Sequence, residues 1–371
     1  MRAFDACEAP VVEISERSSF VAVETEWNAL VDAVRPEPFY RHEFIRVWLD
    51  NFAPNKRWVI LSTRDQQGRL AAVLPLIADE SSILGVPVRQ LSGASNVHSC
   101  RFDLIARDPQ ASARAFFQHL AASDRWDVIQ LSDVPEQGGA WEILGAARLA
   151  GYPVGTWESM RSPYIPLDGS WQLLESQLSA KFRANLHRRR RHLQQRGKVT
   201  LERISGGPAL ERAIEEGFWL EQEGWKGTAG TAIAQDGSVR GFYSELAKAS
   251  AHRRTLACHF LRLDGELVSF HYALELADRH FLLKPTYSES LKELSPGHLL
   301  VCEVLRDCIQ RGVKEFDFLG PEMPWKRDWT WKTRSHTWLF VFRNSTFGRA
   351  LSHAKFRWMP AARRVMQRWN W

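Results

Sequence analysis

The sequence predicts an α/β protein of two tandem halves, each a mixed sheet flanked by helices. Two observations carry this. The 371 residues exceed what one ordinary core needs. An order of hairpin, helix and strand also occurs before residue 135 and again after residue 255. Apolar residues make up 44% and charged residues 25%, the balance of a chain folded nearly throughout.

In the first half, Trp27, Leu30, Val31 and Val34 keep a helical period that Pro36 and Pro38 end. Trp58 to Ser62 and Leu70 to Ile77 are apolar runs joined by turn residues at 65–68, which reads as a hairpin, and Val86 to Leu91 extends it. Ala111 to Ala122 is helical in pattern, and Trp126 to Leu131 is a buried strand. In the second half, Leu256–Leu263 and Leu267–Leu276 flank Asp264-Gly265, a strong hairpin signal, and Phe281 to Lys284 continues the sheet. A helix from about His298 to Gln310 follows Ser295-Pro296-Gly297 and stops at Gly312. Phe316 to Leu319 is then a short strand.

Between the halves, one long amphipathic helix is expected, opened by Asp168 or Ser170, with Trp171, Leu174, Leu178, Phe182, Leu186 and Leu193 on one side. At about 100° per residue, Arg188 to Arg191 point in four directions. At least one of them must turn towards the core or a ligand. The expected domains are 1–165, a catalytic 166–345, and a basic aromatic tail at 346–371.

Basicity is local. Residues 181–198 carry eight Lys or Arg and residues 329–371 carry nine, with no acid in either stretch. Such segments fit an anionic partner, a phosphate group, nucleic acid or lipid surface, or else two solvated helix faces. The first twenty residues have no apolar signal core and no run is long enough to span a membrane, so a cytoplasmic protein is expected. Five scattered cysteines without a CxxC pair argue against disulfides or zinc, and no metal is expected. There is no GxSxG elbow, P-loop, HExxH or dinucleotide GxGxxG.

Four segments then carry a resemblance: Phe182 to Arg191, Glu221 to Gly227, Ser295 to Leu300, and Phe316 to Gly320 followed by Lys326 and Trp329. In this order, over roughly residues 12–345, the chain resembles the GNAT-superfamily branch that includes cellulose- and exopolysaccharide-associated acetyltransferase-like proteins and the Fem-type transferases. The resemblance implies a tandem double GNAT fold. It also implies acyl transfer from acetyl-CoA or another acyl-CoA to an amine or hydroxyl of a small molecule, sugar or cell-envelope acceptor. A Fem-type transferase using aminoacyl-tRNA is the alternative, with the basic helix holding RNA; a non-catalytic module of a polysaccharide assembly system is a third reading.

For a phosphate-bearing donor, Ser295, Pro296, Gly297, His298 and Leu299 offer a helix start with a cap, a fixed φ and a residue without Cβ. The same turn also reads as an ordinary helix start, and the usual Gly-rich acetyltransferase loop is lacking. Asp317, inside an apolar strand, is a candidate general base or else a buried ion pair. His271 could serve as base or be a core histidine, and Tyr287 could protonate the leaving sulfur. Glu221, Trp225 and Lys226, repeated in kind by Lys326 and Trp329, resemble an acceptor-side motif, and Lys181, Arg183 and Arg188 are the basic helix's candidate contacts. Residues 345–371 alternate bulky apolar groups and cations, the pattern of an anchor on an anionic membrane or of a docked C-terminal helix.

Overall fold

The computed structural model describes residues 10–224 and 233–358. Its first elements are β1 (Val12–Ile14), α1 (Arg17–Ala22), α2 (Glu24–Val34), α3 (His42–Phe52), β2 (Arg57–Arg64), β3 (Leu70–Ile83), β4 (Val86–Gly93) and β5 (Ile105–Ala106). They are followed by α4 (Pro109–Ala122), β6 (Val128–Pro135), α5 (Trp141–Leu149), β7 (Val154–Pro166), α6 (Trp171–Gln177), α7 (Ala180–Arg196), β8 (Val199–Ile204) and α8 (Leu210–Glu223). The rest are α9 (Gly237–His252), β9 (Cys258–Leu263), β10 (Glu266–Leu276), β11 (Arg279–Tyr287), α10 (Pro296–Gln310), β12 (Glu315–Asp317), α11 (Pro324–Arg327), β13 (Thr333–Phe342) and α12 (Thr346–His353). The α/β expectation holds: mixed sheets are flanked by helices.

The chain forms two compact units, and the division is not a single cut. Residues 10–45, 53–160 and 335–358 make the first; 46–52, 161–224 and 233–334 make the second. In the first unit, strands run β1-β2-β3-β4-β6-β13, with β5 against β3. All neighbours are antiparallel except β4 and β6, which pair in parallel over Gln90–Ser92 and Val128–Gln130. Phe116, Trp126, Ile129 and Val134 lie in the core between this sheet and α4 and α5. Asp108 starts α4 by accepting from the Ala111 N–H, with Pro109 in the first turn.

Where β4 leaves its parallel neighbour, the chain fills the gap itself. A Cβ on Gly93 would lie 2.6 Å from the Phe102 ring, and Phe102 is buried in the core. Behind it, Asp103 accepts from the Leu104 and Ala140 N–H groups and pairs with Arg35 at 2.9 Å.

In the second unit, strands run β7-β12-β11-β10-β9-β8, with β12 parallel to β11. The β9–β10 hairpin turns at Asp264 and Gly265, φ +50° and +89°, the two left-handed residues a tight hairpin needs. The β11–β12 pairing lasts only from Arg279 to Phe281. β11 then carries an extra residue, Leu283, because Leu282 faces Ala273 while Lys284 faces Tyr272. The strand continues to Tyr287 paired with β10 alone, so the parallel pair opens towards its carboxyl ends.

Two expectations are corrected here. The long central helix is two helices: Leu178 is extended, and Ser179 starts α7 by accepting from the Phe182 N–H, just as Ser170 starts α6. The apolar stripe nevertheless stays together, with Leu174, Leu178, Phe182, Leu186 and Leu193 in the unit's core and Trp171 against it. The strand expected over Phe316 to Leu319 ends at Asp317. The Asp317 carboxylate accepts from the Leu319 N–H at 2.8 Å, and Leu319 and Gly320 then take φ +50° and +56°.

Candidate functional site

The open end of the β11–β12 pair faces the start of α10. Pro296 occupies the first helical turn, where its fixed φ suits the helix. Ser295 does not cap, contrary to expectation. It is left-handed at φ +47°, and its hydroxyl donates back to the Lys292 carbonyl at 3.3 Å. The first helical hydrogen bond is Leu299 N–H to Ser295 C=O, so the N–H groups of Gly297 and His298 have no acceptor among the described residues. Gly297 lies against Tyr287, where a Cβ would stand 3.2 Å from Cδ1. Leu299 is a buried core residue.

His298 organises the next layer. Its Nδ1 accepts from the Trp329 Nε1–H at 3.1 Å, and its Nε2 lies 3.8 Å from Asp328. Phe182 and Trp325 meet its ring edge to face at 5.2 and 6.3 Å. Burial and the nearby Arg189 guanidinium push the imidazole down to about 4, so it is neutral and free to accept. Burial also raises the Asp328 carboxyl. Arg189 is half-buried, with its Nε buried and without a hydrogen-bond partner among the described residues. Sequence reasoning missed Arg189 and Asp328 as site neighbours. It did require that one arginine of the run turn inward, and two do, since Arg190 pairs with Glu303 of α10.

The proposed acid and base candidates differ in burial. Tyr287 ends β11 half-buried, its phenol raised by burial and by Glu289. Asp317 is fully buried, with one oxygen on the Leu319 N–H and the other 3.1 Å from Arg334, whose guanidinium lies 3.7 Å above the Tyr164 ring. A carboxylate held in this way shapes the turn after β12. His271 is also fully buried, beside His259 and His280, and burial holds it well below the usual histidine range. Both side chains are thus interior groups in this structure.

On the acceptor side, Trp225 and Lys226 lie outside the described residues. The residue before them, Gly224, is close to β11: a Cβ there would be 3.8 Å from the Tyr287 carbonyl oxygen. Glu221 is buried and accepts from the Ile233 N–H at 2.8 Å, so it ties the end of α8 to Ile233. Lys326 is 5% exposed and donates to the Leu319 and Pro321 carbonyls at 2.5 and 2.9 Å. It thus holds the turn after β12 from within. Trp329 is 4% exposed and serves His298. On the basic helix, Arg183 donates to the last carbonyls of α6 at 3.4 Å, while Lys181 and Arg188 are exposed, the latter on Asn185 at 3.2 Å.

A second polar cluster, unread in the sequence, lies under the far end of α10. Glu275, His280 and Cys308 bring ligand-type atoms within 4.8 Å of one another. Arg311 already lies among them, donating to Glu275 at 2.6 and 2.8 Å and approaching the Cys308 sulfur at 3.7 Å. The guanidinium supplies the positive charge that a metal would bring.

Residues 180–327, the bulk of the second unit, match the model of the acetyltransferase (GNAT) domain family. Among solved structures, FemX is similar at TM-score 0.57 and 10% identity, over 90% of this chain and 98% of that one. The DUF2156 C-terminal domain assigned to a lysylphosphatidylglycerol synthetase of Agrobacterium fabrum is similar at 0.55 and 10%, over 90% and 95%. L-PGS from Bacillus licheniformis is similar at 0.53 and 11%, over 91% and 95%. At these identities the likeness is one of fold. A comparison with curated protein sequences gives no match.

Proposed function

We propose that the second unit moves an acyl group from an acyl-CoA-type thioester to an amine or hydroxyl of a small-molecule, sugar or cell-envelope acceptor, such as one used in exopolysaccharide synthesis. The observation that carries this reading is the opening of the β11–β12 pair after Phe281, opposite a helix start with two unclaimed N–H groups. A parallel pair that parts at its carboxyl ends leaves a crevice for a thin donor arm. The helix terminus beside it offers backbone donors and the positive end of the helix dipole to the donor's phosphates. The corresponding gap in the first unit is filled by Phe102, so we assign the donor to the second.

In this reading the acceptor nitrogen or oxygen attacks the thioester carbon, the carbon–sulfur bond breaks, the departing sulfur takes a proton from Tyr287, and the proton that the acceptor sheds passes through solvent water and restores the phenol. A phenol raised by burial still holds that proton at neutral pH. Asp317, Arg334 and Lys326 position the turn that borders the crevice. Trp225 and Lys226, which lie outside the described residues, stay assigned to the acceptor on the strength of the sequence motif that contains them.

The second reading, a Fem-type transfer from aminoacyl-tRNA, is favoured by the exposed cations of α7 and by the fold likeness to FemX. Calorimetry with acetyl-CoA and longer acyl-CoAs, beside a gel shift with aminoacyl-tRNA at two salt concentrations, separates the two. CoA binding without an RNA shift supports the first. A salt-sensitive shift confined to charged tRNA supports the second, and failure of both overturns both in favour of a non-catalytic module.

A further inference from the structure

Most of the anchor pattern at 345–371 lies outside the described residues. Among those described, no aromatic side chain is more exposed than Trp331, at 77%. A lone exposed apolar group is common on a protein surface, but this one is pinned. The Thr330 hydroxyl donates to the Tyr164 carbonyl at 2.9 Å and accepts from the Lys332 N–H at 3.1 Å, and the Lys332 carbonyl accepts from the Tyr164 N–H at 3.1 Å. The Arg327 guanidinium lies over the indole, 5.7 Å from its centroid, and is itself held by Glu322 at 2.7 Å. The ring is thus fixed through its backbone and from one side, with the rest of its surface open to water. Its place in the fold is specific. Tyr164 is opposite Asp317, the last residue of β12, so Trp331 stands at the end of the strand where β11 and β12 part. The same short segment sends Trp329 and Asp328 to His298 at the start of α10.

We propose that the open face of Trp331 stacks against a pyranose ring, and that the acceptor of the transfer is therefore a sugar. This rests on the transfer reading above and narrows its acceptor. A hexopyranose with equatorial substituents shows only axial C–H groups on each face, and their partial positive charge suits the electron-rich face of an indole. Around the ring, the segment offers polar groups for the hydroxyls: the exposed ammonium of Lys332 and the half-exposed carboxylate of Asp328. The carboxylates weigh against a nucleotide as the stacked group. Glu322 and Asp328 repel the phosphates that a nucleotide brings, whereas a neutral sugar brings only hydroxyls for them to accept.

The test is saturation-transfer NMR on the full-length protein with cellotetraose, whose rings carry only equatorial substituents, and with sorbitol, which has the hydroxyls without a ring face. Transfer to the ring C–H protons of cellotetraose is expected, with half-saturation on the order of 1–10 mM, and none to sorbitol. Trp331→Ala should weaken that binding about 10-fold and Trp331→Tyr much less, while circular dichroism melts and the calorimetric affinity for acetyl-CoA stay as in the parent. Absence of transfer in the parent overturns the proposal, as does unchanged transfer in Trp331→Ala. Loss of acetyl-CoA affinity in Trp331→Ala overturns it in favour of the donor's adenine as the stacked ring. A dimer that light scattering finds in the parent and not in Trp331→Ala overturns it in favour of a second copy of this chain. Cellotetraose binding that needs Trp331 in a protein that binds no acetyl-CoA leaves the sugar on Trp331 and overturns the transfer reading alone.

Discussion

Gly297 sits beneath the ring of Tyr287, close enough that a Cβ would approach Cδ1 to 3.2 Å. The first turn of α10 and the last residue of β11 are therefore in direct contact, and a side chain at position 297 must push on one or the other. Gly297→Ala should weaken acetyl-CoA binding about 10-fold and Gly297→Val about 100-fold, with folding retained. Calorimetry on folded variants reads this directly. Unchanged affinity in Gly297→Val would move the phosphate site elsewhere.

The neutral state of His298 has a pH signature. Its folded value of about 4 lies below the ordinary 6.5, so the unfolded chain binds the proton more readily. Stability from this group is complete above pH 6.5 and is lost as pH falls towards 4, by about 3 kcal/mol in all. His259, also held to about 4 by burial, acts in the same direction. Urea unfolding of His298→Gln between pH 4 and 7 should show a shallower slope than the parent. An identical slope would place the titration in other groups.

Asp103 in the first unit works in the opposite sense. Burial raises its carboxyl to about 6 against the pull of Arg35 and of the backbone N–H groups of Ala140, Gly139 and Leu104. An acid whose folded value exceeds its unfolded one favours folding most below about pH 4, and that contribution disappears as pH rises through 6. Relative to the parent, Asp103→Asn should therefore gain about 3 kcal/mol between pH 4 and pH 7. A pH-independent difference in unfolding free energy would contradict this.

Asp317 is expected to behave as a positioning group. Asp317→Asn keeps an oxygen for the Leu319 N–H and leaves Arg334 with Glu315 as its remaining carboxylate partner, which should cost on the order of 1–3 kcal/mol in stability. The acidic limb of the kcat/KM profile should persist in the variant. Loss of that limb with unchanged stability would restore Asp317 as the base.

Filling of the first unit's crevice predicts a packing penalty. Gly93→Ala drives a methyl group to 2.6 Å from Phe102 and should cost about 1–3 kcal/mol in urea unfolding while leaving donor affinity unchanged. A neutral substitution would mean that Phe102 yields freely.

What the sequence made legible was local. Asp264-Gly265 announces its hairpin because two adjacent residues tolerate positive φ, and Leu299 to Ile309 announces its helix by spacing alone. The break at Leu178–Ser179 was hidden by an apolar stripe that runs unbroken across it. The site was less legible for a different reason. Whether Asp317 is a base or a strut depends on Arg334, and the protonation state of His298 depends on burial first and on Arg189 second, all of them set by parts of the chain distant in sequence. Lys326 has the composition of a substrate contact, and its inward aim is set by two carbonyls of the turn at 319–321.

The return of β13 to the first unit bears on how the protein is made. β6 receives its antiparallel partner only when residues 336–342 have left the ribosome, whereas a nascent chain reaching Arg334 already contains every residue of the second unit. Synthesis from the amino end would normally let the first domain fold first. Here the second unit can finish first, while the first still has an open sheet edge at β6. Such an edge is a template for wrong pairing, so the interval between translating Arg334 and Phe342 is the period in which the nascent chain is most exposed to misassembly.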